Sequence, residues 1–146
     1  MTVLLSANEV AKEITKRFPQ AQAQASNDAV LLKGEALFEV AAFLKNSPEF
    51  GFNYLNYITA VDYFDYFELV YQLTSLSHNH TVVLKTRCYD RNNPVVSSVV
   101  RLWRGADLQE REVYDLMGIR FNGHPNMKRI VLWDGFQGHP LRKDYL

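Results

Sequence analysis

The chain of 146 residues holds one cysteine, Cys88. That excludes an intramolecular disulfide, and a lone thiolate cannot by itself hold a structural zinc or an iron–sulfur cluster. Any redox centre must therefore sit in a partner. No apolar run approaches the ~18 residues needed to span a bilayer; the longest clear one covers residues 40–44. The start, with Val3, Leu4 and Leu5 as a short apolar stretch and no base before it, is not a secretory signal, so the chain is expected to stay on the side where it is made. Charge of one sign is missing too, since 16 Lys plus Arg balance 16 Asp plus Glu, which removes a whole-domain electrostatic grip on nucleic acid or an anionic membrane. Without linkers rich in Pro, Gly or Ser, low-complexity tracts or solenoid repeats, residues 1–146 read as one domain.

What is present is a core. Hydrophobic residues make up 47% of the chain and aromatics 13%, enough large apolar volume for an ordinary folded domain. Ser6 and Glu9 have the spacing of a capping box, and Ala7, Val10, Ala11, Ile14 and Phe18 form an apolar helical stripe ended by Pro19. Residues 21–25 and 29–32 predict a hairpin around Ser26-Asn27-Asp28, and a second helix follows over 35–45. Residues 52–61 carry apolar side chains at both parities, the pattern of a central strand covered on both faces. Strands are expected over 67–73 and 82–88, then a helix through Val96, Val99, Val100 and Trp103, another over 106–117 ended by Gly118, and an apolar strand over 130–133. The order, roughly αββαβββαα followed by a short strand and an extended C-terminal tail, predicts an α+β two-layer sandwich with helices packed on a mixed or antiparallel sheet. Residues 1–118 form its core, and 119–146 an irregular segment that holds the tail.

Charge is unevenly placed. Residues 35–70 hold six acids against Lys45, whereas from Arg120 onward five bases face Asp134 and Asp144. Gly123-His124-Pro125 and Gly138-His139-Pro140 repeat a rigid motif, and each proline biases its histidine toward extended backbone. The last nine residues offer only Leu141, Tyr145 and Leu146 as apolar anchors; a free tail of that composition is mobile, unless it orders against another subunit.

For chemistry, Glu110, Arg111, Glu112 and Asp115 share one helix. Glu110 and Glu112 stand about 200° apart around it, whereas Glu112 with Asp115 and Arg111 with Asp115 are neighbours. An ion-paired face outweighs catalysis, because no nucleophile motif or phosphate loop accompanies them. His78 and His80 begin a metal site that nothing nearby completes, and no glycine pattern matches a dinucleotide fingerprint. Lys128, Arg129, Arg142 and Lys143 lie near Phe121, Trp133, Phe136 and Tyr145, a mixture able to hold single-stranded nucleic acid, which the neutral total disfavours.

The string Glu110-Arg111-Glu112-Val113-Tyr114-Asp115-Leu116-Met117-Gly118-Ile119, then Phe121-Asn122-Gly123-His124-Pro125, then Arg129, then Gly138-His139-Pro140-Leu141-Arg142-Lys143-Asp144, strongly resembles the C-type subunit family of NADH-quinone oxidoreductase, the 30 kDa-type subunit of respiratory complex I. Leu108 and Phe136 stand where relatives often carry Trp, and Met117 where Phe is frequent; many relatives also continue beyond residue 146, so a smaller tail contact is expected. The resemblance implies a non-catalytic subunit of the hydrophilic arm of a proton-translocating enzyme, with no cofactor of its own. It places FMN, iron–sulfur clusters and quinone in other subunits. It sets this chain on the D-type subunit, which holds the quinone site and is related to hydrogenase large subunits, with the B-type and I-type subunits nearby. It also implies a peripheral location on the cytoplasmic side of the plasma membrane. On this reading Arg142, Lys143 and Asp144 contact the D-type subunit, while Glu110, Arg111, Glu112 and Asp115 anchor the tail's base or the partner surface. Equivalent subunits of a membrane-bound hydrogenase, an F420 dehydrogenase or a photosynthetic NDH-type complex remain open within the same family. From a different class, a free-standing enzyme would use Glu112 with Asp115, or His124 with His139, as acid and base.

Overall fold

A computed structural model describes residues 2–133 and 135–145. Strand β1 (Val3–Leu4) leads into helix α1 (Ala7–Arg17), a 3-10 turn at Pro19–Ala21, strands β2 (Gln24–Ser26) and β3 (Ala29–Leu31), a second 3-10 turn at Gly34–Ala36, and helix α2 (Leu37–Asn46). Three long strands follow, β4 (Tyr54–Asp62), β5 (Phe67–Ser75) and β6 (His80–Cys88), then β7 (Val95–Ser97), helix α3 (Ala106–Met117) and β8 (Arg120–Asn122). The main sheet runs β2-β3-β6-β5-β4, and β1 also pairs with β6. It is mixed, because β1 and β3 lie parallel to β6 while the other neighbours are antiparallel. β7 and β8 pair parallel as a separate two-stranded sheet.

Period-two alternation sorts the long strands into two faces. Ile58, Leu69, Tyr71, Leu73, Val82 and Leu84 point to one side and join Val10 and Ile14 of α1, Val40 and Leu44 of α2, and Val113 and Met117 of α3 in one continuous core. The opposite side is polar and half-wet; on it Glu68 meets Arg87 across the ladder at 3.3 Å. Asn27 and Asp28 turn the β2–β3 hairpin with positive φ, 50° and 64°, the conformation that Asn and Asp tolerate best among residues other than glycine.

Several expectations are corrected. Residues 52–61 do not form the central strand: β6 does, flanked by β3 and β5, and β4 lies at the sheet edge. A register shift between Leu55 and Tyr57 produced the apolar signal at both parities, with Leu55 and Ile58 turned inward and Tyr54, Tyr57 and Val61 exposed. Ser6 stands at the start of α1 but makes no side-chain cap; pairing of β1 with β6 directs the chain into the helix instead. Most instructive are Val96, Val99, Val100 and Trp103, whose helical spacing misleads. Val95–Ser97 is a strand, and the chain then turns because Glu110 of α3, fully buried, accepts hydrogen bonds from the Ser98 hydroxyl at 2.6 Å and the Val99 N–H at 2.9 Å. Trp103 is drawn inward by its own bond, Nε1 donating to the Phe52 carbonyl at 3.1 Å.

Burial pushes the Glu110 carboxyl above its ordinary range, opposed by those two donors. Replacing it leaves the Ser98 hydroxyl and Val99 N–H buried without an acceptor, so Glu110→Ala is expected to cost about 2–4 kcal/mol in urea unfolding, with Glu110→Gln retaining part of that. Equal midpoints for wild type and Glu110→Ala would remove this role.

Candidate functional site

α3 is the platform. Ala106, Glu110, Val113 and Met117 recur at helical spacing and all point inward, while Glu112 is exposed, consistent with the expected separation of about 200° between Glu110 and Glu112. Gly118 ends the helix at φ +78°, its N–H bonded to the Tyr114 carbonyl at 2.8 Å, the left-handed termination that glycine accepts without strain. A Cβ there would stand 2.8 Å from Cδ2 of His139, so the glycine also makes room for the tail.

The two Gly-His-Pro motifs hold opposite ends of this helix. Nδ1 of His124 accepts the Asn126 N–H at 2.9 Å, leaving Nε2 to donate to the Asp107 carbonyl at 3.2 Å in the first turn of α3. Nδ1 of His139 donates to the Asp115 carbonyl at 2.8 Å, and the Leu141 N–H donates to the Leu116 carbonyl at 2.9 Å. These last two are carbonyls that the end of a helix leaves unsatisfied. The His139 ring lies tilted against Tyr114 at 5.7 Å.

Between these ends, Asp115 fixes the connecting loop. Its buried carboxylate accepts Nη1–H of Arg129 at 2.9 Å and the backbone N–H groups of Ile130, Val131 and Leu132 at 3.2, 2.8 and 2.8 Å. Burial alone would raise this carboxyl, but those backbone donors and Arg129 outweigh it and hold it below the usual range. Three successive N–H groups aimed at one oxygen cannot also pair with a strand, which is why residues 130–133 form no strand despite their composition; β8 is the short strand of this region. Arg129 continues to the Gly138 carbonyl at 2.7 Å, and Arg111 donates to the carbonyls of Lys128 and Arg129 at 3.0 and 3.1 Å. Side chains released outward by this arrangement include Val131 and Trp133, the latter 68% exposed.

The tail is not free. Arg142 grips Asp144 at 2.9 Å and donates to the Arg91 carbonyl at 2.9 Å, while the Lys143 N–H reaches the Asp62 carboxylate at 2.8 Å. Asp62, at the end of β4, forms a bidentate pair with Arg91 at 2.7 and 3.0 Å, and Arg91 also contacts Asp144 at 3.2 Å. Both guanidiniums lie over the Phe67 ring, 4.6 and 5.0 Å from its centroid. The hydrogen bond from Arg91 is the main reason the Asp62 carboxyl falls far below its ordinary range. Composition alone expected mobility here; Asp62, Arg91 and Phe67, which fasten the segment, gave no sequence signal beyond isolated charges and an aromatic.

The acid–base pairs of the alternative enzyme reading are not brought together. Asp115 is buried against its loop while Glu112 is exposed, and the two histidines bind Asp107 and Asp115, about 12 Å apart along the helix axis. His78 and His80 bond to the Pro48 and Phe50 carbonyls, and among the described residues no group of three His, Cys, Asp or Glu is placed to hold a metal.

The fold, with residues 124–145 fastened as a strap across α3 and the end of β4, defines an α+β module whose motif residues shape a surface. The family model described as "Respiratory-chain NADH dehydrogenase, 30 Kd subunit" matches residues 30–146. Among similar proteins, the NADH-quinone oxidoreductase C-type subunit of Roseiflexus sp. (strain RS-1) is 42% identical over 119 residues, 80% of this chain and 68% of the relative. The C-type subunit of Moorella thermoacetica is 40% identical over 138 residues, covering 92% of this chain and 91% of the relative. The second C-type subunit of Rhizobium etli (strain CIAT 652) is 43% identical over 121 residues, 81% of this chain and 64% of the relative. A solved structure of the membrane-bound sulfane sulfur reductase, an archaeal respiratory membrane complex, matches with a TM-score of 0.76 at 26% identity over 94% of this chain and 84% of that one. The chain belongs to the 30 kDa subunit family of the respiratory-chain NADH dehydrogenase. It is thus a subunit of a multi-subunit respiratory complex, and no helix among its described residues is long and apolar enough to cross a membrane.

Two expectations follow from the geometry. Asp115→Ala removes the anion that faces Arg129 and three backbone donors, and is expected to cost about 3–5 kcal/mol, with limited proteolysis near residues 128–133 rising before global unfolding; unchanged cleavage would contradict the pinning role. Asp62 titrates lower folded than unfolded, so its stabilisation is full above pH ~4 and lost as pH falls below that. Glu110, shifted upward, has the opposite sign. The difference between wild type and Asp62→Asn isolates the Asp62 contribution, and the gap in their unfolding free energies is expected to narrow as acid is added.

Proposed function

We propose that this chain is a scaffold subunit of the hydrophilic arm of a proton-translocating NADH–quinone oxidoreductase. It docks on the quinone-site D-type subunit, with the B-type and I-type subunits nearby, and lies on the cytoplasmic side of the membrane. FMN, iron–sulfur clusters and quinone belong to other subunits on this reading. The supporting observation is the strap itself: Asp115, Arg129, His139 and Arg142 are engaged within the chain, and their combined effect is to hold Val131, Trp133 and Leu141 outward on a fixed backbone. A preorganised surface of this kind lowers the entropic cost of association. The likeness to the sulfane sulfur reductase complex keeps a second reading in play, the equivalent subunit of a related membrane-bound complex.

The test is to tag the chain in its own cells, solubilise the membranes gently and identify by mass spectrometry what copurifies. Flavin-bearing NADH-oxidising subunits together with the D-type subunit are expected. A hydrogenase-like set lacking the NADH module selects the second reading, and recovery of the chain alone overturns both.

A further inference from the structure

Glu112 stands apart from the other carboxylates of its motif. Asp115 and Asp144 are paired with arginines, and Glu110 holds Ser98 and Val99. The Glu112 side chain is exposed and has no hydrogen-bond or ion-pair partner among the described residues. It sits on the rim of a groove between α3 and the edge strand β4, walled by Ile58, Ala60, Leu116 and Leu141. The groove has a volume of about 120 Å³, too small for a cofactor or metabolite pocket, which spans roughly 300–1,000 Å³. One long side chain fits. Thr59 and Gln109 share the lining with the apolar side chains, and Glu112 makes the rim anionic, which suits a side chain that lays a methylene stem along the apolar part and keeps a charged head at the mouth.

We propose that this groove receives a single lysine or arginine side chain from a neighbouring subunit, its stem between Leu116 and Leu141 and its cation on Glu112. The inference rests on the scaffold reading above and deepens it by naming the contact. Three features support a protein occupant. Leu141, 60% exposed, is fixed in place by its N–H bond to the Leu116 carbonyl, so the wall is already built. Leu108, one helical turn before Glu112, is 56% exposed and extends the apolar surround. β4 is the outer strand of its sheet, an edge that folded proteins cover or blunt, and the Gln109 side chain covers only its Ile58 N–H.

The test uses the full chain, tagged in its own cells, with recovery of partner subunits per tagged chain as the readout. Glu112→Arg is expected to lower recovery about tenfold or more and Glu112→Asp to preserve most of it. The melting temperature of the purified variants should stay within about 2 °C of wild type, since the side chain has nothing to lose inside its own fold. A photoreactive benzoylphenylalanine at Leu141 is expected to crosslink to a partner peptide that contains a lysine or arginine. Wild-type recovery for Glu112→Arg, or a Leu141 crosslink to a peptide without a basic residue, overturns the groove assignment while leaving the scaffold reading intact. Recovery of the wild-type chain alone overturns the scaffold reading, and this inference with it.

Discussion

The carboxylate of Asp115, buried on α3, determines the course of the backbone after Arg129. One anion facing one guanidinium and three consecutive backbone N–H groups replaces the hydration it gives up with charge-assisted bonds, each roughly twice as strong as a neutral one. Because the donors are backbone groups, the geometry is imposed on the chain whatever side chains residues 130–132 carry. The Ile130 and Val131 side chains are then left exposed. An interior electrostatic requirement thereby produces an apolar exterior.

The remaining strap contacts extend the same logic. His124 binds the Asp107 carbonyl in the first turn of α3, His139 and the Leu141 N–H satisfy carbonyls at its C-terminal end, and Gly118 supplies both the left-handed turn and the clearance for His139. Arg142 closes the path by returning to Arg91, whose side chain pairs with Asp62 at the end of an edge strand and with Asp144 of the tail. Helix, loop, tail and sheet edge are therefore mechanically joined. For a subunit of a large respiratory complex, such coupling makes a surface that does not have to be ordered at the moment of assembly.

Much of the fold was legible because local signals agreed with tertiary need: α1 from its stripe, α3 from Ala106 to the glycine stop, β5 from the apolar stretch over 67–73, and β6 from Val82, Leu84, Thr86 and Cys88 alternating with their neighbours. The α+β class followed. Where reading failed, the deciding partner lay far along the chain. Val96 to Trp103 have helical spacing, yet Glu110, at least eleven residues on from the groups it binds, holds them in a turn. Residues 130–132 resemble a strand until Asp115 takes their N–H groups. β4 looked central because a register shift put apolar side chains on both parities. The motif residues themselves were identified from sequence by resemblance, but their roles inside the chain were not, since Asp62, Arg91 and Phe67 carry no pattern that marks them as the tail's anchors.

The central claim is that the strap belongs to this domain and is folded before any partner arrives. Amide hydrogen exchange on the isolated chain reads it directly, at Ile130, Val131, Leu132, Leu141 and Lys143, whose N–H groups all have acceptors within the chain. The account predicts protection at these five amides and its loss at the first three in Asp115→Ala. Exchange at the rates of an unfolded peptide in the wild-type chain would contradict it, and would return the tail to a segment that orders only on its partner.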